Sequence, residues 1–192
     1  LEKAKEFGAI ARRMDVTNRS DIDAVVKEAI ADQGRIDLMV ANAGYGNFSS
    51  VEETTPEEVR RIFEVNVFGV ENSIRAVLPQ MRKQRSGRII MTTSVVGHVS
   101  LVGLGWYAAT KHAIKAVANA LRQETRWLGI RVSTVEPGTS KTGFGAVAFG
   151  LLAIGLTEIR IADRDLPKAQ ALAEALLAAC PGLAVQTDTD PA

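Results

Sequence analysis

Residues 94–111 read SVVGHVSLVGLGWYAATK and end in a tyrosine followed four positions later by a lysine. In a helix, side chains at positions i and i+4 lie on the same face one turn apart, so the Tyr107 phenol and the Lys111 ammonium are expected to be neighbours. A free phenol has a pKa of about 10, and a nearby cation lowers it by favouring the phenolate. This spacing therefore predicts a tyrosine that exchanges protons near neutral pH.

Ser94 lies at the end of an apolar, β-branched run that begins at Gly87 and predicts a β-strand. A hydroxyl at the carboxyl end of such a strand faces the crevice in which open α/β sheets bind ligands. A tyrosine and a lysine at this spacing also occur as an ordinary surface pair on a helix. Because a serine precedes them at the end of a strand, the functional interpretation is favoured over the surface pair.

The segment 94–111 and four further motifs resemble the short-chain dehydrogenase/reductase family. The resemblance covers residues 1–142 and implies an α/β fold with a doubly wound parallel sheet (Rossmann-like). It also implies an oxidoreductase that transfers a hydride between NAD or NADP and a small alcohol or carbonyl substrate. In the order of the chain, the four motifs are Asp15-Val16-Thr17, Asn42-Ala43-Gly44, Asn66 within Val65-Asn66-Val67, and Pro137-Gly138 with Thr142.

The resemblance also implies a role for each catalytic residue. Tyr107 passes a proton to or from the substrate oxygen, and Ser94 holds that oxygen. Lys111 lowers the phenol pKa and holds the nicotinamide ribose, while Asn66 anchors a water chain. For Asn66, a structural cap between strands is the alternative, because a buried polar side chain must find partners. The implied cofactor-binding residues are Asp15, Val16, Asn42, Ala43, Gly44, Tyr107, Lys111, Pro137, Gly138 and Thr142.

The pattern of apolar residues predicts strands and helices in alternation, which is typical of a parallel sheet. Thr55, Pro56 and two acidic residues mark the start of one helix. The small side chains of the Tyr107 helix predict close packing, and the family implies a homodimer or homotetramer through this helix and the preceding one. An intramolecular core is the alternative. The predicted strands are 9–14, 36–41, 87–94 and 130–136, and the predicted helices are 1–8, 20–33, 55–84 and the helix that carries Tyr107.

Composition and charge are those of an ordinary soluble globular protein, with 46% hydrophobic and 23% charged residues. A net charge of +1 gives no indication of nucleic acid or of an anionic membrane as partner. The single cysteine, Cys180, excludes an internal disulfide, and neither His98 nor His112 has a partner at metal-site spacing. No signal segment opens the sequence, and its longest apolar run is too short to span a bilayer. We therefore expect a cytoplasmic protein without a metal site.

The tail after Thr142 has its own pattern, which is similar to the first half of the dinucleotide-binding domain of shikimate/quinate dehydrogenases. Two domains are therefore predicted, residues 1–142 and 143–192, with the second packed on the same sheet. Two alternatives to the family's oxidoreductase activity stay open: a catalytically silent chimera or fragment of dinucleotide-binding folds, and a shikimate-type dehydrogenase. The elements predicted in the tail are helices at 146–154 and 167–179 and strands at 158–163 and 183–186.

Cofactor binding is expected to be the weakest part of the function, because no Gly-rich pyrophosphate turn of the family type precedes Asp15. Gly143–Ala148 fits the pattern G-x-G-x-x-A, and Asp163 follows at the distance of an acid that binds an adenosine ribose. A Gly-rich helix start is the alternative for this segment. Two lost charge-assisted hydrogen bonds, at about 1.5–3 kcal/mol each, would weaken binding on the order of a hundredfold or more.

Overall fold

Three parallel strands and the helices that connect them form the part of the chain that carries the predicted site. The computed structural model describes residues 9–137 and, for the backbone, residues 158–162 and 184–188. The helices are α1 (Arg19–Gln33), α2 (Pro56–Phe63), α3 (Gly69–Gln84) and α4 (Gly105–Thr125), and the strands are β1 (Leu38–Ala41), β2 (Gly87–Thr92), β3 (Ile130–Val135), β4 (Glu158–Ala162) and β5 (Ala184–Asp188).

The sheet has the order β1-β2-β3, and both pairs of neighbours are parallel. Ile90 of β2 lies opposite Val40 of β1 and Ser133 of β3, which fixes the register. The α/β class and the parallel sheet are therefore confirmed. The buried face of the sheet and the apolar sides of α3 and α4 form one core, whose largest members are Ile74, Leu78, Met81, Ile89, Met91, Ile114, Leu121 and Ile130.

The helix boundaries follow the local signals in the sequence. Thr55 and Glu58 form a reciprocal capping box at the start of α2, with Pro56 in the first turn. The Asn18 side chain caps α1, and Gly34 ends it in a left-handed conformation. The predicted helix at 55–84 is interrupted by a π-helical turn, Glu64–Phe68, which lies between α2 and α3.

The predicted strand at 9–14 is wrong. These residues have no regular secondary structure, and Ile10 is 70% exposed. A segment forms a strand only where a neighbouring strand accepts and donates its backbone hydrogen bonds. Within the described residues, the sheet that follows contains only β1, β2 and β3. The segment is held to α1 by side chains instead, through the ion pair of Arg12 with Glu28.

The strand predicted at 36–41 begins two residues later because a side chain binds the backbone at Ile36. Gln84 accepts a hydrogen bond from the Ile36 N–H at 2.8 Å and donates one to the Ile36 carbonyl, also at 2.8 Å. These bonds take the place of the ladder bonds that would extend β1. Gln84 is the last residue of α3, so this contact also fixes the end of that helix against the sheet.

The rest of the chain forms a second compact unit, since the structure divides into residues 1–138 and 139–192. In the second unit, β4 and β5 pair in parallel, with Ile159 opposite Val185, close to the two strands predicted in the tail. The predicted helices 1–8, 146–154 and 167–179 lie outside the described residues. The packing of the tail on the same sheet stays a prediction. Among the described helices, none combines the length and the apolar character needed to cross a membrane.

Two left-handed glycines provide a test of backbone packing. Gly34 and Gly129 have φ angles of 73° and 77°, but a Cβ on Gly34 would meet nothing within 4 Å, whereas one on Gly129 would lie 2.1 Å from the Arg85 carbonyl oxygen. We expect Gly34→Ala to lower the free energy of unfolding by about 1–2 kcal/mol, the cost of a left-handed residue with a Cβ. Gly129→Ala should lower it considerably more, because the backbone at Arg85 must move. Urea unfolding of both variants measures this difference, and equal losses would contradict it.

Candidate active site

The loops that follow β1, β2 and β3 meet at one edge of the sheet, because parallel strands all end at the same side. Backbone hydrogen bonds connect two of these loops. The Thr93 N–H donates to the Val135 carbonyl at 2.8 Å, and the Val95 N–H donates to the Pro137 carbonyl at 3.3 Å. This edge carries the predicted residues after β1 (Asn42, Ala43 and Gly44), after β2 (Ser94) and after β3 (Pro137).

Ser94 and Tyr107 are in direct contact at this edge. Ser94 precedes a short 3₁₀ turn (Val95–Gly97), and its hydroxyl accepts a hydrogen bond from the Val96 N–H at 3.4 Å. Tyr107 lies in the first turn of α4 and is buried, and the Ser94 side chain is hydrogen-bonded to its phenol. Burial raises the pKa of the Tyr107 phenol, while the hydrogen bond with Ser94 opposes this rise and has the smaller effect. The phenol is therefore protonated at neutral pH.

The surroundings of Tyr107 explain why burial has the larger effect on the pKa of its phenol. Its ring belongs to an apolar cluster that includes Ile62, Val96, Leu104 and Ala108. Four partly buried apolar side chains pack against this cluster, three of them aromatic: Phe48, Phe63, Leu101 and Trp106. A charged phenolate is poorly solvated in such surroundings.

Lys111 lies one turn beyond Tyr107, as predicted, but its ammonium group is hydrogen-bonded to the main chain. Its Nζ donates a hydrogen bond to the Thr92 carbonyl at the end of β2, at 2.9 Å, and lies 5.5 Å from the centre of the Tyr107 ring. Only 4% of the lysine is exposed, and burial lowers the pKa of Lys111 to about 8. Burial disfavours the charged form of both groups, so the pKa of Tyr107 is raised and that of Lys111 is lowered. The predicted catalytic role of Lys111 stays a prediction.

Asn66 is fully buried in the π-helical turn, and both the oxygen and the nitrogen of its side-chain amide are hydrogen-bonded. Oδ1 accepts a hydrogen bond from the Tyr45 N–H at 3.0 Å, and Nδ2 donates to the Tyr45 carbonyl at 2.8 Å. Nδ2 also donates to the Thr110 hydroxyl at 3.1 Å. The side chain thus supports the loop after β1, which is the structural role that the sequence left open. A catalytic role for Asn66 stays a prediction.

Gly44 lies where a side chain would be crowded by its neighbours. A Cβ at this position would lie 3.0 Å from Asn66 Oδ1 and 3.6 Å from Lys111 Nζ. The glycine therefore allows the backbone after β1 to approach the lysine and the asparagine closely. Asn42, two residues earlier, accepts a hydrogen bond from the Thr92 hydroxyl at 3.0 Å. The predicted Asn-Ala-Gly motif is thus in contact with residues of both β2 and the π-helical turn.

A groove of about 750 Å³ lies beside the same loop, and Asp15, Val16 and Ala43 are among its lining residues. The Asp15 carboxylate accepts hydrogen bonds from the Thr17 N–H and hydroxyl, at 2.9 and 2.8 Å, and these bonds lower the pKa of Asp15. Asn72 donates to the Val16 carbonyl at 3.1 Å and ties the segment to α3. The structure therefore brings Asp15 and Val16 together with Ala43, which is far away in the sequence, and all three were predicted to bind the cofactor.

Some of the predicted residues cannot be placed. Gly138, Thr142, the Gly143–Ala148 turn and Asp163 lie outside the described residues. Within residues 9–137, no group of three or more metal-ligating side chains occurs. His98 instead forms a pair with Glu136, 2.6 Å from Nε2 to Oε2, and approaches the ammonium of Lys115.

Three groups of the site were missed by the sequence analysis: the Thr92 carbonyl, the Tyr45 backbone and the Thr110 hydroxyl. Two of these are main-chain atoms, which leave no signal in the residue type. Thr110 could have been noticed, because it lies between Tyr107 and Lys111 and because a threonine buried in a helix needs an acceptor for its hydroxyl.

Comparison with known proteins shows what this arrangement is similar to. Residues 1–149 match the family model described as short chain dehydrogenase. The 3-ketodihydrosphingosine reductase of Bacteroides thetaiotaomicron is 40% identical over 131 residues, which cover 68% of this chain and 49% of that protein. The chain spans about half the length of the curated relatives that it matches.

Solved structures agree with this similarity. A short-chain dehydrogenase from Streptomyces avermitilis is 39% identical with a TM-score of 0.70, over 75% of this chain and 55% of that one. An NAD⁺-bound xylitol dehydrogenase is 27% identical with a TM-score of 0.77, over 98% of this chain and 74% of that one. These likenesses show the Rossmann-like fold predicted from the sequence. The resemblance of the tail to shikimate dehydrogenases stays a prediction.

The low pKa of Lys111 predicts how stability depends on pH. Between about 8 and the ordinary value of 10.5, the folded chain has released the Lys111 proton while the unfolded chain keeps it. Stability therefore rises with pH in this window, because the unfolded state binds more protons. Below pH 8, keeping the buried ammonium charged costs on the order of 3 kcal/mol.

We expect the unfolding free energy of the wild-type chain to rise relative to that of Lys111→Met between pH 8 and 10.5. Chemical denaturation at several pH values measures the difference. Lys115→Met, one turn further along α4, removes a partly exposed ammonium and serves as the control. If the two variants show the same difference from wild type at every pH, the assignment to Lys111 is wrong.

Proposed function

Because the chain belongs to the short chain dehydrogenase family, we propose that it is an NAD- or NADP-dependent oxidoreductase acting on an alcohol or carbonyl substrate. The observation that carries this proposal is the hydrogen bond between Ser94 and the buried Tyr107 phenol, with Lys111 one helical turn away. Two hydroxyl groups at the carboxyl edge of a parallel sheet form a suitable site for a substrate oxygen. When bound, the nicotinamide supplies or accepts the hydride.

Each residue has a defined task in this proposal. Tyr107 is protonated at neutral pH, because burial raises its pKa, so it acts as the acid that protonates a carbonyl oxygen during reduction. Ser94 donates a hydrogen bond to the same oxygen and orients it. Lys111, with a pKa of about 8, exchanges a proton more readily than an ordinary lysine and can replace the proton that the tyrosine loses.

The residues around the site suit a nicotinamide dinucleotide. The ionised Asp15 in the groove is an acceptor for ribose hydroxyls, and Ala43 of the loop after β1 lines the same groove. The remaining cofactor-binding residues of the proposal are Val16, Asn42, Ala43, Pro137, Gly138 and Thr142. Reduction of a ketone is supported by the name of the 3-ketodihydrosphingosine reductase, which describes a carbonyl substrate. A cytoplasmic location stays a prediction from the sequence.

The proposed assembly is a homodimer or homotetramer. α4 presents an exposed face of small apolar side chains, Ala116, Val117 and Ala120, and Val117 is 44% exposed. Such a face packs closely against a second helix and is unfavourable in water. The family resemblance supports an oligomer contact through this helix and the preceding one.

We expect light scattering to give a mass at least twice the 20.6 kDa of one chain. Val117→Arg should shift the chain to the monomer, because a guanidinium would be buried without a partner at the contact. Gln123→Arg, on another face of the same helix, serves as the control and should leave the mass unchanged. A wild-type chain that scatters as a monomer at micromolar concentration contradicts the proposed assembly.

The acid role of Tyr107 is tested by removing its hydroxyl. A panel of small ketones and aldehydes is offered to the chain with NADH or NADPH, and consumption of the reduced cofactor is followed by absorbance. Tyr107→Phe should lower turnover by roughly 10²–10⁴-fold, the usual contribution of a general acid, because the phenyl ring keeps the packing but has no proton to give. Circular dichroism serves as the control for folding. Turnover close to that of wild type in a folded variant would refute the assignment.

A further inference from the structure

Thr110 is hydrogen-bonded to two residues of the proposed site, Tyr107 and Asn66. It lies between Tyr107 and Lys111 on α4 and is fully buried. Its hydroxyl donates a hydrogen bond to the Tyr107 carbonyl at 2.7 Å. The hydroxyl oxygen of Thr110 in turn accepts a hydrogen bond from Asn66 Nδ2 at 3.1 Å. A threonine hydroxyl has one hydrogen and two lone pairs, so it can serve both partners at once.

The Asn66 amide depends on this hydroxyl. Nδ2 has two hydrogens, and the structure gives one acceptor to each: the Tyr45 carbonyl and Thr110 Oγ1. Asn66 is fully buried, so water does not replace a lost acceptor without cost. The Thr110 hydroxyl therefore fixes the rotation of the amide that holds Tyr45 by both its N–H and its carbonyl.

The amide in turn lies against the groups of the proposed site. Asn66 Oδ1 is within 3.0 Å of the position that a Cβ on Gly44 would take, and Lys111 Nζ is within 3.6 Å of the same position. The Gly44 backbone thus lies between the asparagine and the lysine. A rotation of the amide would move the loop after β1, which carries Asn42, Ala43 and Gly44, relative to α4.

We propose that Thr110 is a positioning residue, whose hydroxyl locks the Asn66 amide and thereby holds the loop after β1 in register with Tyr107 and Lys111. This inference rests on the proposed function. It adds a connection between the loop after β1 and α4, and this connection consists of the fully buried side chains of Asn66 and Thr110. A displacement of about 1 Å at a reacting centre can cost on the order of a hundredfold in rate, which is why such a link matters.

The test compares three variants of the whole chain. Thr110→Val keeps the shape of the side chain and removes the hydroxyl, whereas Thr110→Ser keeps the hydroxyl. Thr125→Val is the matched control, because Thr125 is also buried in α4 and donates to a carbonyl of its own helix, that of Leu121, at 2.7 Å. If Thr110→Val does not fold, Thr110→Ala removes the same hydroxyl with a smaller side chain.

The first readout does not need turnover. With selective asparagine labelling, the side-chain amide of Asn66 gives a pair of NMR signals whose exchange with water reports its hydrogen bonds. In wild type, Thr110→Ser and Thr125→Val, we expect a slowly exchanging pair. In Thr110→Val, the hydrogen that loses its acceptor should shift and exchange faster. Unchanged Asn66 signals in Thr110→Val would overturn the proposal.

The second readout is steady-state kinetics with the substrate and cofactor that the ketone panel identifies. Thr110→Val should lower kcat about tenfold or more, as expected when the loop after β1 shifts relative to the reacting groups, with little change in KM. Thr110→Ser should stay close to wild type, and so should Thr125→Val. The same loss in Thr125→Val, or no rescue by serine, would also overturn the proposal. A wild-type chain without turnover would refute the proposed function alone, because the NMR signals still decide whether Thr110 holds Asn66.

Discussion

Parallel pairing of β2 with β1 on one side and β3 on the other is the constraint on which the site depends. A parallel register sends every strand toward the same edge, so three segments that are far apart in the sequence end side by side. The loop after β1 brings Gly44, the loop after β2 brings Ser94, and β3 brings Pro137. α4 returns across this edge and adds Tyr107 and Lys111. Without the common direction of the strands, these groups would lie at opposite ends of the sheet.

Burial, rather than charge pairing, controls the electrostatics at this edge. The tyrosine and the lysine are close enough to interact, yet the pKa of Tyr107 is raised and that of Lys111 is lowered to about 8. Each shift favours the neutral form of its group, as expected where an apolar cluster replaces water. At neutral pH the phenol, with its raised pKa, and the lysine, with a pKa of about 8, both still carry their protons, which is the state from which the proposed proton transfer begins.

The sequence predicted those features that depend on local chemistry. The caps at Thr55 and Gly34, the strand that begins at Gly87 and the helical spacing of Tyr107 and Lys111 are all local, and the structure shows each of them, with the strand ending at Thr92 instead of Ser94. The resemblance to a family supplied the residues that meet in space, such as Asp15 and Ala43, since no periodicity connects positions so far apart.

The features that could not be predicted depend on partners elsewhere in the chain. Residues 9–14 have the composition of a strand, but strand formation requires a neighbour that a local pattern does not contain. β1 is shortened by the side chain of Gln84, which is far away in the sequence. The direction of the pKa shift at Tyr107 depends on how deeply the helix is buried, and helical spacing contains no information about burial.

Two sets of polar contacts stabilise the edge of the sheet, and they differ in how far they are exposed to solvent. His98, Lys115 and Glu136 form a charged group in which the Glu136 side chain remains 29% exposed, and the hydrogen bond from His98 is the largest cause of its lowered pKa. Charged contacts at this exposure contribute little to stability and are weakened by salt.

The second set, formed by Asn66, Thr110 and the Tyr45 backbone, carries no charge, and its two side chains, Asn66 and Thr110, are fully buried. Its hydrogen bonds are modest in net energy, but breaking one leaves a buried donor without a partner, which costs about 1–3 kcal/mol. Salt does not screen such contacts, and they have no titrating group. The geometry of the site therefore depends more on the neutral buried contacts than on the charged surface group, although the charged residues are the more conspicuous in the sequence.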